Sequence, residues 1–346
     1  MNDAENNTDA LQSGTAEQHK IRDKRKRVII YSFAAVIILL FAALFIISYL
    51  LSSRISSLSS RLNESEEYIA AVNSHVYEYA SPDDTFTLQD KTYGEVWLPL
   101  FENVPLNTID SESLVLDERN RYSYYDGEEK ISYTGIDVSY HQGDIDWEKV
   151  AADGIDFVIV RVGYRGYESG IMKEDERADE YISGALAAGL DVGAYFYSQA
   201  VTEAEAAEEA VFAAELLKDY KITYPVIFDW ELPGDSEART ADVSPETLNK
   251  CAAAFCSEIS ARGYTPMIYS GLTMALCKYD MRSMCSFDFW YVEYKDGHNP
   301  PLYPYEINMW QYASDGQVDG IDGNVDMNIC FTDYNKLYNA LHISDN

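Results

Sequence analysis

Pro225-Val226-Ile227-Phe228-Asp229-Trp230-Glu231 reads as a short buried strand that runs out onto two acids. An apolar run of this length, rich in β-branched and aromatic residues, is a strand signature. Working outward, similar runs recur at Gly135–Ser139, Asp156–Val162, Asp191–Tyr197, Thr265–Tyr269, Phe287–Tyr294, Asn308–Tyr312 and Val325–Phe331. Amphipathic stretches fall between the early ones, at Trp147–Ala152, Glu176–Ala188, Glu203–Tyr220 and Pro245–Arg262. Ser244-Pro245-Glu246 reads as an N-cap, a proline at N1 and an acid in the first turn, while Gly154, Gly189 and Gly263 stand where glycines end helices. Eight strands alternating with helices over residues 135–341 predict an α/β fold, an irregular (β/α) barrel whose later crossovers are too short for full helices.

Such a barrel gathers functional groups at strand C-termini. Asp229 and Glu231 are two residues apart on one strand and therefore project to the same side. Asp137 in the first strand and Asp326 at the start of the last bring two more carboxylates to the same region. Crowded carboxylates in a poorly solvated mouth resist joint ionisation, so at least one keeps its proton near neutral pH. Glycoside hydrolysis needs such a donor at the leaving oxygen. The bland alternative is that D-x-E arises by chance in an acidic chain.

The chain has 346 residues, 47% of them hydrophobic, with 26 Lys+Arg against 58 Asp+Glu and a formal charge of −32. That charge excludes a nucleic-acid partner, which requires a basic surface. Five irregularly spaced cysteines exclude a disulfide scaffold and a paired zinc site. Residues 1–27 hold six Lys+Arg and five acids, a basic tail expected to be cytoplasmic. Residues 28–51 then run without a charge. As a helix they would span about 36 Å, enough for a hydrocarbon core of about 30 Å. The expectation is a single-pass anchor in the lipid bilayer of the cell membrane, with the body extracytoplasmic by the positive-inside rule. Leu51, Ile55, Leu58, Leu62, Ser65, Ile69, Val72 and Val76 follow a heptad, so 52–81 reads as a helical stalk. The stalk is compatible with a short coiled coil and a homodimer, or with a plain spacer. Residues 82–134, with Pro82, Pro99 and Pro105 among short β-rich runs, read as a linker or small β-rich segment.

Six collinear blocks carry a resemblance. They are Gly135–Gly143 with Ile145-Asp146-Trp147, Phe157–Gly163, Gly193–Tyr197, Phe228–Glu231, Trp310-Gln311-Tyr312 and Gly323–Asn328. Over residues 135–341 the chain resembles the glycoside hydrolase family 25 lysozymes, the N-acetylmuramidases. The resemblance implies that Glu231 is the general acid and that Asp229 orients the substrate's 2-acetamido group, whose oxygen can attack the anomeric carbon with net retention. It implies supporting roles for Asp137 and Asp326, and an acetamido contact for Tyr197. Arg161 stands where many relatives have lysine, and the two differ in geometry.

Tyr195, Tyr197, Tyr269 and Trp310 lie near strand ends, where aromatic rings can stack on sugars, although tyrosine also suits half-buried strands. Asp322-x-Asn324-x-Asp326 imitates a calcium loop but has Met327 where glycine belongs, and no metal or cofactor is expected. Cys277 and Cys285 leave a disulfide open. Three activities follow as expectations. One is a membrane-anchored hydrolase cutting the β-1,4 bond between N-acetylmuramic acid and N-acetylglucosamine in peptidoglycan glycan strands. The second is a non-catalytic glycan-binding or scaffold protein, and the third a chitinase-like hydrolase of N-acetylglucosamine polymers. The proton donor argues against the pure binder.

Overall fold

A computed structural model describes residues 85–90, 94–232, 238–295, 297 and 299–342. The membrane segment 28–51 and the stalk 52–81 lie outside the described residues. Among the described residues no helix is long and apolar enough to cross a membrane.

The chain enters through an antiparallel pair, β1 (Thr85–Asp90) and β2 (Gly94–Pro99), followed by a small sheet of β3 (Leu114–Leu116), β4 (Tyr122–Asp126) and β5 (Glu129–Lys130). The barrel then begins with β6 (Tyr133–Val138), a 3-10 turn at Tyr140–Gln142, α1 (Trp147–Ala152) and β7 (Phe157–Arg165), whose end folds back as a hairpin with β8 (Met172–Glu174). It continues through α2 (Ala178–Ala187), β9 (Asp191–Ser198), α3 (Glu203–Leu217), β10 (Val226–Trp230), α4 (Pro245–Ala261) and β11 (Pro266–Gly271). Two short helices, α5 (Leu272–Cys277) and α6 (Met281–Met284), lead to β12 (Asp288–Val292), β13 (Met309–Gly316), β14 (Val325–Cys330) and α7 (Tyr334–His342). Eight strands close on themselves because β6 pairs with both β7 and β14.

All eight expected barrel strands are present, and the capping signals work as read. Ser244 Oγ accepts from the Thr247 N–H at 3.2 Å with Pro245 at N1. Gly154, Gly189 and Gly263 have φ of 88°, 84° and 85°, the left-handed conformation that glycine adopts without penalty. β14 departs from a regular β/α barrel. It is joined to β13 by residues 317–324, too few for a crossover helix, so it runs antiparallel to both neighbours. Its first residues, not its last, therefore lie at the mouth.

Period-two alternation divides the barrel strands into two cores. Phe157, Ile159, Ile227, Met267, Trp290, Met309 and Cys330 fill the interior with Tyr224 and Tyr334, whose rings lie 5.3 Å apart. Gly135 makes room for this filling, since a Cβ there would meet the Phe157 ring at 2.2 Å. The outward set, including Val158, Val160, Phe196 and Phe228, packs beneath the helices, with Phe228 and Phe255 5.2 Å apart. Among the described residues no helix intervenes between β12 and β13 or between β13 and β14, and the preceding small sheet covers that flank instead. Tyr122 of β4 packs 4.9 Å from Trp310 and 5.0 Å from Tyr312. Arg121 forms an ion pair with Asp153 at 2.5 Å, and Leu106 bridges to Tyr305. Residues 100–134 are thus a wall of the barrel's outer core rather than a free linker.

Candidate active site

Strand register places the acids. Asp137 on β6 and Asp326 on β14 are direct antiparallel partners, and Asp229 on β10 pairs with Tyr197 on β9 and Tyr269 on β11. Inward parity along β10 carries Glu231 to the rim just beyond Asp229. Charge interactions join the four. Asp326 and Glu231 both act on Asp137, Glu231 and Asp137 act on Asp229, and Asp326 acts on Glu231. The expected four carboxylates do converge on one end of the barrel.

Burial raises every one of them, and like charge adds to it for Asp137, Asp229 and Glu231. Asp137, 6% exposed, is pushed up to about 8 by burial first and by the Asp326 charge second. Asp326 is raised to about 6 by burial. Asp229 is held well above the usual carboxylate range by burial and by Glu231, opposed by Arg161, and its Oδ1 is sealed with no partner among the described residues. The protein around Glu231 and the charge of Asp326 raise its carboxyl too. Its side chain nonetheless remains open to solvent at the mouth, which moderates both effects. The result is a site poised to hold protons in the neutral range.

Arg161 faces this group from β7. Its Nε donates to Asp175 Oδ2 at 2.7 Å, and its guanidinium lies 5.1 Å from the Tyr140 ring centre and 5.5 Å from that of Tyr164. Asp175 also accepts from the Tyr140 and Arg177 backbone N–H groups, which fixes the pair. Tyr195 and Tyr197 line the β9 side, where the charges of Asp229 and, for Tyr197, Glu231 act on their hydroxyls. The Tyr269 hydroxyl donates to Gln311 Oε1 at 3.0 Å.

Trp310 is not in the mouth. It is fully buried on the outer face of β13, where its Nε1 donates to the Glu293 carbonyl at 3.0 Å and its ring packs on Tyr122. A side chain with no exposure on that face cannot stack on a sugar. The inward residue is its neighbour Gln311, which reading the residues singly missed. Gln311 Nε2 donates to Asp137 Oδ2 at 2.8 Å, and Gln311 Oε1 accepts from Tyr269 and, at 2.9 Å, from Tyr294. Asn328, also missed, donates to the same Oδ2 at 2.8 Å. Both lie in the quoted blocks, and a polar amide inside an apolar strand was the available signal.

Among the described residues no group of three or more His, Cys, Asp or Glu side chains could hold a metal ion. Cys277 and Cys285 are not joined by a disulfide.

The profile of the glycosyl hydrolases family 25 matches residues 136–321. Lysozyme M1 of Streptomyces globisporus is 27% identical over 203 residues, covering 56% of this chain and 66% of that protein. Among solved structures, the modular autolysin LytC of Streptococcus pneumoniae in complex with a synthetic peptidoglycan ligand is similar at 26% identity and a TM-score of 0.51. That likeness covers 71% of this chain and 56% of LytC, so the chain spans little more than half of that relative. The spore cortex lytic enzyme SleM of Clostridium perfringens, 19% identical with a TM-score of 0.51 over 59% of this chain and 69% of its own, shares the fold.

Proposed function

Starting from the chain's membership of the glycosyl hydrolases family 25, we propose that it is a membrane-anchored peptidoglycan hydrolase of the lysozyme type. It cleaves the β-1,4 bond between N-acetylmuramic acid and N-acetylglucosamine. The observation that carries the reading is the convergence of Asp137, Asp229, Glu231 and Asp326 at one barrel mouth with every carboxyl pushed up.

Glu231, protonated and open to the mouth, gives its proton to the departing glycosidic oxygen. Asp229 lies one inward position deeper, with Oδ1 unpartnered and Arg161 opposing its elevated pKa. It receives the acetamido N–H, aligning the acetamido oxygen behind the anomeric carbon. Burial first and the charge of Asp326 second raise the Glu231 carboxyl, which favours its protonated form. Tyr197 and Tyr269 flank Asp229 and border the sugar. The charge-free run 28–51 supports anchorage in the cell membrane with the barrel facing the wall. Anchorage restricts action to nearby peptidoglycan and favours remodelling over secreted attack.

The test is hydrolysis of purified peptidoglycan by the full chain and by its Glu231→Gln variant, with the new reducing ends identified. The expected products end in N-acetylmuramic acid, and the variant is inert. Equal inertness of both proteins with retained glycan binding would favour the binding-protein reading, and N-acetylglucosamine reducing ends the chitinase-like one.

A further inference from the structure

The interior of the barrel holds a chain of hydrogen bonds that ends on a single oxygen atom. Trp290 Nε1 donates to Asn328 Oδ1 at 2.8 Å, and Asn328 Nδ2 donates to Asp137 Oδ2 at 2.8 Å. An indole N–H can only donate, so the Asn328 amide is oriented without ambiguity, with its NH2 towards Asp137. From the other side the Tyr269 and Tyr294 hydroxyls both point to Gln311 Oε1, which turns the Gln311 NH2 onto the same Oδ2. Asn328 is 0% and Gln311 3% exposed, so no bulk water competes for these groups.

Asp137 Oδ2 therefore accepts two amide hydrogens. Oδ1 takes no hydrogen bond among the described residues, yet it is not sealed off as Asp229 Oδ1 is. A proton on Oδ2 would collide with two donors, whereas Oδ1 is the carboxyl oxygen that receives neither, and Asp326 is the residue directly across the strand pair. We propose that Gln311 and Asn328 are positioning residues that confine the proton of Asp137 to Oδ1, while the deeper burial of Asp137 leaves the negative charge of the Asp137–Asp326 pair on Asp326. The inference rests on the lysozyme-type reading for its catalytic meaning, but the placement of the proton does not.

Burial favours this division of charge. Asp326 is the more exposed of the two and the better solvated as an anion, and its charge is the one that acts on Glu231. Two amides held from opposite sides also prevent the Asp137 carboxyl from rotating, so the pair cannot exchange roles by a simple flip. Asp137 and Asp326 titrate as a unit. The amides decide which oxygen of Asp137 carries the proton, while burial outweighs their preference for a charged acceptor and keeps the proton on Asp137.

The experiment is infrared difference spectroscopy of the full chain at pH 7, comparing wild type with Asp137→Asn, Gln311→Met and Asn328→Asp. A proton on Oδ1 makes Oδ2 the carbonyl oxygen, with two donors lowering its stretching frequency. The wild type is expected to show a protonated-carboxyl band that disappears in Asp137→Asn and moves to higher frequency in Gln311→Met. In pH profiles of kcat/KM, Gln311→Met and Asn328→Asp are expected to move the alkaline limb by about half a pH unit or more. They lower kcat roughly tenfold with KM changed less than about twofold, as positioning and not binding is lost. Absence of the Asp137 band, or a band that stays in place in Gln311→Met, overturns the proposal. If Gln311→Met does not fold, the comparison of wild type with Asp137→Asn still decides whether Asp137 holds the proton. Because the infrared readout needs no substrate, an unshifted band refutes the proton placement whether or not the chain cuts peptidoglycan.

Discussion

Replacing Asp137 with asparagine is expected to abolish hydrolysis while raising the melting temperature, and the rise should depend on pH. The Asp137 carboxyl has its pKa lifted in the fold from 3.8 to about 8, so between those limits the native state retains a proton that the unfolded chain releases. The sign follows from linkage. The group adds no penalty below about pH 4, and stability is progressively lost as pH rises from about 4 to about 8. At pH 7 the gap of 3.8 to about 8 corresponds to a penalty of roughly 4 kcal/mol, against less than about 1 kcal/mol at pH 4. Asparagine keeps an acceptor for both Gln311 and Asn328 and presents its NH2 to Asp326, so most of the penalty is relieved. Allowing about 1–2 kcal/mol for burying an amide NH2 in place of the carboxyl O–H, the net gain is about 2–3 kcal/mol at pH 7. In a domain of this size that is a rise of roughly 5–10 °C. Calorimetry of both proteins at pH 4, 5.5, 7 and 8 measures it. A difference in melting temperature that does not grow with pH, or a variant that melts below wild type at pH 8, would refute the account.

Four further outcomes are expected. Trp310→Ala removes a buried ring from the outer core and should cost about 3–5 kcal/mol in a denaturant titration, with kcat per folded molecule unchanged. A large loss of kcat without destabilisation would return Trp310 to the mouth. Arg165 pairs with the fully buried Glu209 at 2.6 Å and also donates to the Gly170 carbonyl. Arg165→Met should therefore cost about 3–5 kcal/mol by stranding Glu209, and Arg165→Met with Glu209→Leu should recover much of it. Activity requires protonated Glu231, whose pKa is raised, so kcat/KM should fall as pH rises through that pKa; a profile still climbing at pH 9 would rule out a carboxyl donor. Deleting residues 28–51 should move the chain from the membrane to the soluble fraction, and retention in the membrane pellet after a high-salt wash would contradict the anchor.

Strand positions and helix ends were legible because their causes are local. β-branched runs, proline at N1 and glycine in the left-handed region act over a few residues, and so did the D-x-E parity that sets Asp229 and Glu231 on one side. The six blocks also carried enough order to indicate the family. The parity of β13 was not legible. Trp310 and Gln311 are adjacent, and the strand is buried on both faces, so no hydropathy alternation separates inside from outside. Tyr122, nearly two hundred positions earlier, makes the outer face apolar, and that contact exists only once the small sheet has packed on the barrel.

The same division explains the acids. Local chemistry determined by itself that carboxylates would gather at strand ends. Whether they meet depended on tertiary structure. Asp326 stands at the beginning of its strand and reaches the mouth only because β14 runs against its neighbours, which places it across from Asp137. Pairings of residues so far apart in the chain are set by closure of the barrel, and the environments that raise the four pKa values arise from that closure.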